Sequence, residues 1–255
     1  MSTELEFRPR LLGIVCNWCC YGGADLCGVS RFQYPPFIRL IRVMCSGRVD
    51  LGHIIRAFSN GMDGVFVGGC HINDCHYVTE GNYDALGMVK LCRRLLGHIG
   101  VNPERLRLEW VSAGEGIRFA NIMNEYGAQV QHLGPLGKSE GIGKDELKFR
   151  LRAVARLVPY LRLVQTERLR VTPRTEAEYT RFFGSAEFDR LFDELVVDKL
   201  AMSEIMLLLA ERPLSAGEIS ERLGLSPSEV SRHVRSSARQ GLLRYDVNRR
   251  SYCLA

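Results

Sequence analysis

Gly64-Val65-Phe66-Val67-Gly68-Gly69-Cys70-His71-Ile72-Asn73-Asp74-Cys75-His76 is the stretch on which the reading of this chain turns. An apolar run breaks on two glycines and delivers a cysteine, and a second cysteine follows five positions later. Two earlier stretches have the same design. Leu11-Leu12-Gly13-Ile14-Val15 stops at Cys16, and Ile38-Arg39-Leu40-Ile41-Arg42-Val43-Met44 stops at Cys45. The three thiols are 29 and 25 residues apart, the length of a strand–helix repeat. In an open parallel sheet the carboxyl ends of neighbouring strands face one crevice, where ligands bind. Cys16, Cys45 and Cys70 are therefore expected to converge.

The 255 residues suffice for one large domain or two ordinary ones, and a composition of 46% hydrophobic and 25% charged residues is that of a soluble globular chain. No apolar run approaches the ~20 residues that span a bilayer. The opening MSTELEFRPR has no apolar signal core, so the expected location is the cytoplasm. Nine cysteines are many for such a chain. Disulfides do not persist in a reducing compartment, and clustered cysteines there point to metal or redox chemistry. The net charge of +5 comes mostly from the C-terminal half, a hint of an anionic partner there.

Strand–helix alternation continues after the third strand. A helix is expected from about Tyr83 to His98, a strand at Leu106–Val111, a helix over IRFANIMNEY, and a short fifth strand at Gln129–Leu133. The sum is a flavodoxin-like parallel sheet of order 2-1-3-4-5. Two glycines and Pro35-Pro36 punctuate the segment after Cys19, so at most a short helix is expected there. The Gly-rich connection 134–143 suggests units at 1–140 (metal-binding), 141–198 (helical) and 199–255. The last unit reads as a winged helix. An apolar helix stops at Pro213, a Ser215–Glu218 capping box opens a second helix closed by Gly224, and a third helix follows Pro227. Two short strands then flank Val247-Asn248.

Cys16-x-x-Cys19 and Cys70-x4-Cys75 each let two thiolates reach one centre, and Cys45 adds a fifth thiol. An iron–sulfur cluster and a structural zinc each need four ligands. Five candidates leave one spare, and spacing does not choose it. A thioredoxin-type pair at Cys16 and Cys19 would normally precede a regular helix, whereas the downstream segment reads as Gly-rich and irregular. His71 and His76 suit hydrogen bonding or packing around the thiols better than ligation. Cys92 and Cys253 read as packing residues, and Cys20 and Cys27 as bystanders. Trp18, Tyr21, Phe32 and Tyr34 either form a docking face or pack the loop. Arg31, Arg39, Arg42 and Arg48 flank the thiols, either stabilising a reduced cluster or simply solvated.

The blocks CNWC, GADLCG, IRVMCSGRVD, GVFVGGCHINDCHY and LRLEWVSAGEG occur in order and resemble the delta subunit of methyl-viologen-reducing hydrogenase over residues ~8–140. The resemblance implies a 2Fe–2S cluster on Cys16, Cys19, Cys45, Cys70 and Cys75. It implies a non-catalytic relay in an electron-bifurcating complex, between a hydrogenase or formate dehydrogenase module and the flavin-containing A-type component of heterodisulfide reductase. The winged-helix extension departs from the short members of that family. Arg232, His233, Arg235, Ser236 and Arg239 on its third helix, with Arg249 and Arg250 at the wing, support a second reading: a redox-sensing, DNA-binding regulator. A docking role for the extension is the favoured expectation, since the fold alone does not fix function.

Overall fold

Apolar strands joined by amphipathic helices close into one parallel sheet with helices on both faces. The computed structural model describes residues 7–78 and 80–255; positions 1–6, where no signal core is expected, and Thr79 lie outside the described residues. The elements are β1 (Leu11–Cys16), α1 (Cys20–Val29), β2 (Ile38–Val43), a 3₁₀ turn (Ser46–Arg48), α2 (Leu51–Ser59), β3 (Gly64–Gly69), α3 (Gly81–His98), β4 (Leu106–Trp110) and α4 (Gly116–Leu133). The sheet runs β2-β1-β3-β4, with every pair parallel. Central β3 is buried along its whole length, as expected for a strand covered on both faces.

Two expectations are corrected. Residues 129–133 are the last turns of α4 and not a fifth strand, so the order 2-1-3-4-5 lacks its last member. Phe119, Met123, Tyr126 and Val130 recur at three- and four-residue steps, all buried. That helical stripe prevails over the local alternation of Gln129-Val130-Gln131. The segment after Cys19 is a regular ten-residue helix, α1. Its buried positions Cys20, Gly23, Ala24 and Cys27 are helically spaced and small. They let α1 lie almost on the backbone of the β4–α4 connection: a Cβ on Gly23 would come within 2.9 Å of the Ser112 carbonyl oxygen, and one on Gly116 within 2.9 Å of the Cys27 nitrogen. Glycines that look like breakers are here the condition for close packing.

The amino ends of the strands are tied by a buried arginine. Arg105 is fully buried. It donates to the carbonyls of Asp63 (3.0 Å) and Gly134 (2.9 Å), to Ser139 Oγ (2.7 Å) and to Glu140 Oε1 (2.5 Å). The Asp63 carboxylate in turn accepts from the Arg10 and Leu136 amides. This network folds the Gly-rich connection under β1, β3 and β4. Removing one partner of such a buried pair costs about 3–5 kcal/mol.

Beyond the connection come α5 (Lys144–Glu167), α6 (Glu176–Phe183), α7 (Ala186–Phe192), a π-helical turn (Asp193–Val197), α8 (Asp198–Glu211), α9 (Ala216–Leu223), α10 (Pro227–Arg239) and the antiparallel hairpin β5 (Leu243–Asp246) and β6 (Ser251–Leu254). Helix α5 continues through Pro159. Its Leu151, Val154, Leu161 and Val164 join Phe188, Phe192 and Val196 in one core with Leu51, Ile54 and Phe58 of α2 and Leu91 and Leu95 of α3. We propose 1–140, 141–198 and 199–255 as the modules of the chain, the second cemented to the first by this shared core. The third has its own core of Ile205, Leu208, Ile219, Val230, Val234 and Leu243. Capping boxes at Ser215 and Ser226 start α9 and α10. No helix among the described residues is long and apolar enough to cross a membrane.

Helix α5 meets the winged helix through charge. Arg222 pairs with Glu146 at 2.8 Å and covers the ring of Phe149, while Arg150 holds the same carboxylate at 2.7 Å. Burial pushes Glu204, beside this cluster, up to about 7, against the pull of Arg150 and Arg222. Its folded pKa thus lies above the ordinary glutamate value of about 4.3. Between these values the folded state binds the extra proton, so stability falls as pH rises. Glu204→Gln is expected to raise the thermal midpoint at pH 8, with the gain shrinking as pH drops below 7. Thermal unfolding across pH checks this, and a pH-independent difference contradicts it.

Candidate metal centre

The register of the parallel strands brings the sulfurs to one level. Cys16 ends β1 opposite Val43 of β2, and Val15 lies opposite Gly68 of β3. Cys45 and Cys70 follow within two residues of their strand ends, so all three thiols stand over the carboxyl edge of the sheet, the usual place for ligands. Cys16 Sγ and Cys70 Sγ are 3.7 Å apart, and Cys19, on the turn between β1 and α1, is near enough to both to act on their charge. Cys45 and Cys75 meet at Gly81, where an added Cβ would collide with Cys75 Sγ and come within 3.4 Å of Cys45 Sγ. The structure thus gathers all five expected residues in two neighbouring sets, Cys16–Cys19–Cys70 and Cys45–Cys75. Cys19 is half-buried and the other four are buried. Among the described residues no three metal-binding side chains surround one point fit for a single ion.

Backbone amides and helix ends face these sulfurs. The Cys20 amide, in the first turn of α1, donates to Cys16 Sγ at 3.3 Å, and the Gly47 amide donates to Cys45 Sγ at 3.4 Å. Helix α3 begins at Gly81, against Cys45 and Cys75. Both helices thus turn positive dipole ends toward the thiols. The hydrogen bond with Cys70 and the amides of Cys20, Cys19 and Trp18 overcome burial and bring Cys16 down to about 6. Cys70, bonded to Cys16 and buried, is pushed far up; of this pair one thiol gives up its proton and the other keeps it. Burial raises Cys19 and Cys45. A set that holds one negative charge easily and resists a second suits a bound cation or cluster, which supplies the missing positive charge. The thiol donors, the amides aimed at sulfur and the missing Cβ at Gly81 fit an iron–sulfur group.

The helix on Cys20 removes the argument that set the Cys16–Cys19 pair apart from a thioredoxin motif. What separates them now is the company of three further thiols. Cys20 packs beneath Gly68 and Cys27 bonds the Phe32 carbonyl at 3.5 Å, both inside the core. Burial pushes Cys92 up to about 12. Cys253 lies in the wing and accepts from Arg244 Nε at 3.2 Å.

His71 and His76 support the loops. His71 Nε2 pairs with Glu115 Oε2 at 2.7 Å, joining the Cys70 loop to the start of α4. His76 stacks on Trp18, with ring centroids 4.0 Å apart. This stack joins the two cysteine loops and leaves Trp18 41% exposed. The four aromatic candidates form no single face. Tyr34 packs edge-on against Phe119, Tyr21 lies under Arg42, and Phe32 lines a cavity with Leu26, Glu109 and Ile117 away from the thiols. Arg31, Arg39 and Arg48 are exposed. Asn82, which sequence reasoning missed, is fully buried, and its amide donates to the carbonyls of Cys70 (3.3 Å) and His71 (2.7 Å).

On the winged helix, Arg235 and Arg239 face solvent beside Ser228 and Ser231. Arg232 shares that face but is paired with Asp198 at 2.9 Å. His233 is buried and does not belong to that face, whereas Ser236 is half-buried and borders it beside Arg235 and Arg239.

Comparison with known proteins finds matches to two separate stretches of the chain. The profile of the methyl-viologen-reducing hydrogenase delta subunit matches residues 11–134, and that of the arsR family of bacterial regulatory proteins matches residues 201–245. The iron-sulfur D-type component of the F420-non-reducing hydrogenase of Archaeoglobus profundus is 52% identical over 130 residues, covering 51% of this chain and 94% of that protein. Its vhc counterpart in Methanococcus voltae, also named as an iron-sulfur component of F420-non-reducing hydrogenase, is 48% identical over 139 residues, 54% of this chain and 96% of that protein. The A-type component of the ferredoxin/F420H2-dependent CoB-CoM heterodisulfide reductase of Methanosarcina acetivorans is 44% identical over 129 residues, 51% of this chain but 16% of that much longer protein.

Gly81→Val is expected to force Cys45 and Cys75 apart and to cut the iron content of anaerobically reconstituted protein by about tenfold or more. Gly114→Ala is the control, because no heavy atom lies within 4 Å of its added Cβ. Iron and sulfide assays on both variants decide the matter; equal contents would show that Gly81 is not part of the site.

Proposed function

We propose that this chain, which belongs to the methyl-viologen-reducing hydrogenase delta-subunit family, is an iron–sulfur electron-transfer component of a complex of the hydrogenase–heterodisulfide reductase type. The observation that carries the reading is the convergence of five thiols over the carboxyl ends of β1, β2 and β3. Their division into two sets suits a 2Fe–2S cluster held by four of the five residues Cys16, Cys19, Cys45, Cys70 and Cys75. Such a cluster, when bound, accepts and returns one electron.

The chain's own residues hold and insulate that site. The thiolates ligate, and the Cys20 and Gly47 amides spread charge from sulfur. Gly81 keeps the cage free of a side chain, and the Trp18–His76 stack joins its two cysteine loops. Substrate chemistry is left to partners. The heterodisulfide reductase relatives carry this sequence inside a longer chain. That supports a flavin-containing heterodisulfide reductase component of the A type as one docking neighbour. The hydrogenase names of the short relatives support a hydrogenase on the other side, and a formate dehydrogenase module fills the same place in our reading. The role is that of a relay in electron bifurcation, and the winged helix serves as a docking module in the cytoplasm.

A second reading has one observation in its favour: the match to the arsR family coincides with a third helix that exposes Arg235 and Arg239. A redox-sensing regulator would bind duplex DNA at near-physiological salt with a steep salt dependence. A relay would instead co-purify anaerobically with a flavoprotein.

Cys70→Ala is expected to lose the visible absorption and the iron of the native protein, while Cys92→Ala keeps both. Anaerobic purification with iron and acid-labile sulfide analysis tests this. A colourless zinc protein, or a Cys70→Ala variant with an unchanged spectrum, would sink the assignment.

A further inference from the structure

A buried hydroxyl next to the thiols has no hydrogen-bond partner. Ser46 is 1% exposed, and its Oγ is one of three buried polar side-chain atoms among the described residues that make no hydrogen bond. Leaving a buried hydroxyl unsatisfied destabilises the fold, and an alanine would fill most of the space without that cost. Ser46 stands between Cys45 and Gly47, the residue whose amide points at Cys45 Sγ. Its Oγ reaches over the end of β3, where a Cβ on Gly69 would come within 2.6 Å of it, and Gly69 is followed at once by Cys70. The hydroxyl thus lies against the end of β3, which delivers Cys70, on a residue next to Cys45.

Two of the polar groups near it are engaged elsewhere. The Gly69 carbonyl accepts from the Val111 amide at 2.9 Å. The Asn82 amide nitrogen is spent on the Cys70 and His71 carbonyls. Asn82 Oδ1 is itself without a partner, and Ser46 does not bond it. What Ser46 has to offer is a donor, and what this edge of the sheet gathers is sulfur.

We propose that Ser46 is a positioning residue that donates its hydroxyl hydrogen to a sulfur of the cluster held by the five cysteines and thereby raises the reduction potential of that centre. The inference rests on the reading of the site given above. A donor on sulfur stabilises the added negative charge of the reduced state more than the oxidised state. The hydroxyl keeps its proton, and only the electron moves.

The test uses the full chain, reconstituted anaerobically with iron and sulfide, as wild type, Ser46→Ala and Ser46→Thr. The midpoint potential is read by dye-mediated titration, alongside iron and sulfide content and the thermal midpoint. Ser46→Ala is expected to keep its iron and sulfide and to shift the ratio of oxidised to reduced cluster at a fixed potential about tenfold toward oxidised, a fall of about 59 mV for one electron. Ser46→Thr, which retains the hydroxyl, is expected to return toward the wild-type potential. A full cluster with an unmoved potential in Ser46→Ala overturns the proposal, and so does an equal shift in the alanine and threonine variants. If the hydroxyl serves Asn82 instead, Ser46→Ala loses thermal stability with no change in potential. A wild-type chain that takes up no iron and sulfide sinks the reading of the site itself, and the role of Ser46 with it.

Discussion

Thiols crowded into one dry site cannot all ionise without positive charge among them. Two sulfurs 3.7 Å apart in surroundings of low dielectric repel strongly once both are thiolates. The structure meets this constraint from several directions. Amides of Cys20 and Gly47 point at sulfur, and α1 and α3 begin against the site. Cys16 alone falls to about 6 while Cys70 is held protonated. A bound iron–sulfur group relieves the remaining repulsion, which is why this arrangement suits a cofactor better than a reactive thiol pair.

The rest of the fold keeps that edge of the sheet in place. The opposite, amino ends of the strands are locked by Arg105, Asp63 and Glu140. The helical segment after residue 143 closes the α2–α3 side with a continuous core. The extension is therefore more than an appended module. It buries a face of the sheet domain, and its winged helix is anchored by Arg222 and Glu146 against α5.

Much of the site was legible because its signal is local. Each strand ends in its own cysteine, and the repeat length of β–α units puts those ends side by side. The winged helix was legible for the same reason: capping boxes and turn residues are short-range features. Helix α1 was not, because its stripe of Cys20, Gly23, Ala24 and Cys27 consists of residues that read as breakers or as chemistry. Their smallness makes sense only when the β4–α4 connection lies against them. Residues 129–133 carried two periodicities at once, and the burial of Val130 in one helical stripe with Phe119, Met123 and Tyr126 decided between them.

The sequence by itself determined the parallel α/β class, the expectation that five cysteines gather at one edge of the sheet and the presence of a winged helix, since each is written in spacings of a few residues. Only the tertiary structure decided that the sulfurs divide into Cys16–Cys19–Cys70 and Cys45–Cys75, that Asn82 and Ser46 stand behind them, and that His233 is buried. Which sulfur meets which depends on strand register and on where a missing Cβ lets two chain segments touch. Those are contacts between segments distant in sequence, and no local pattern encodes them.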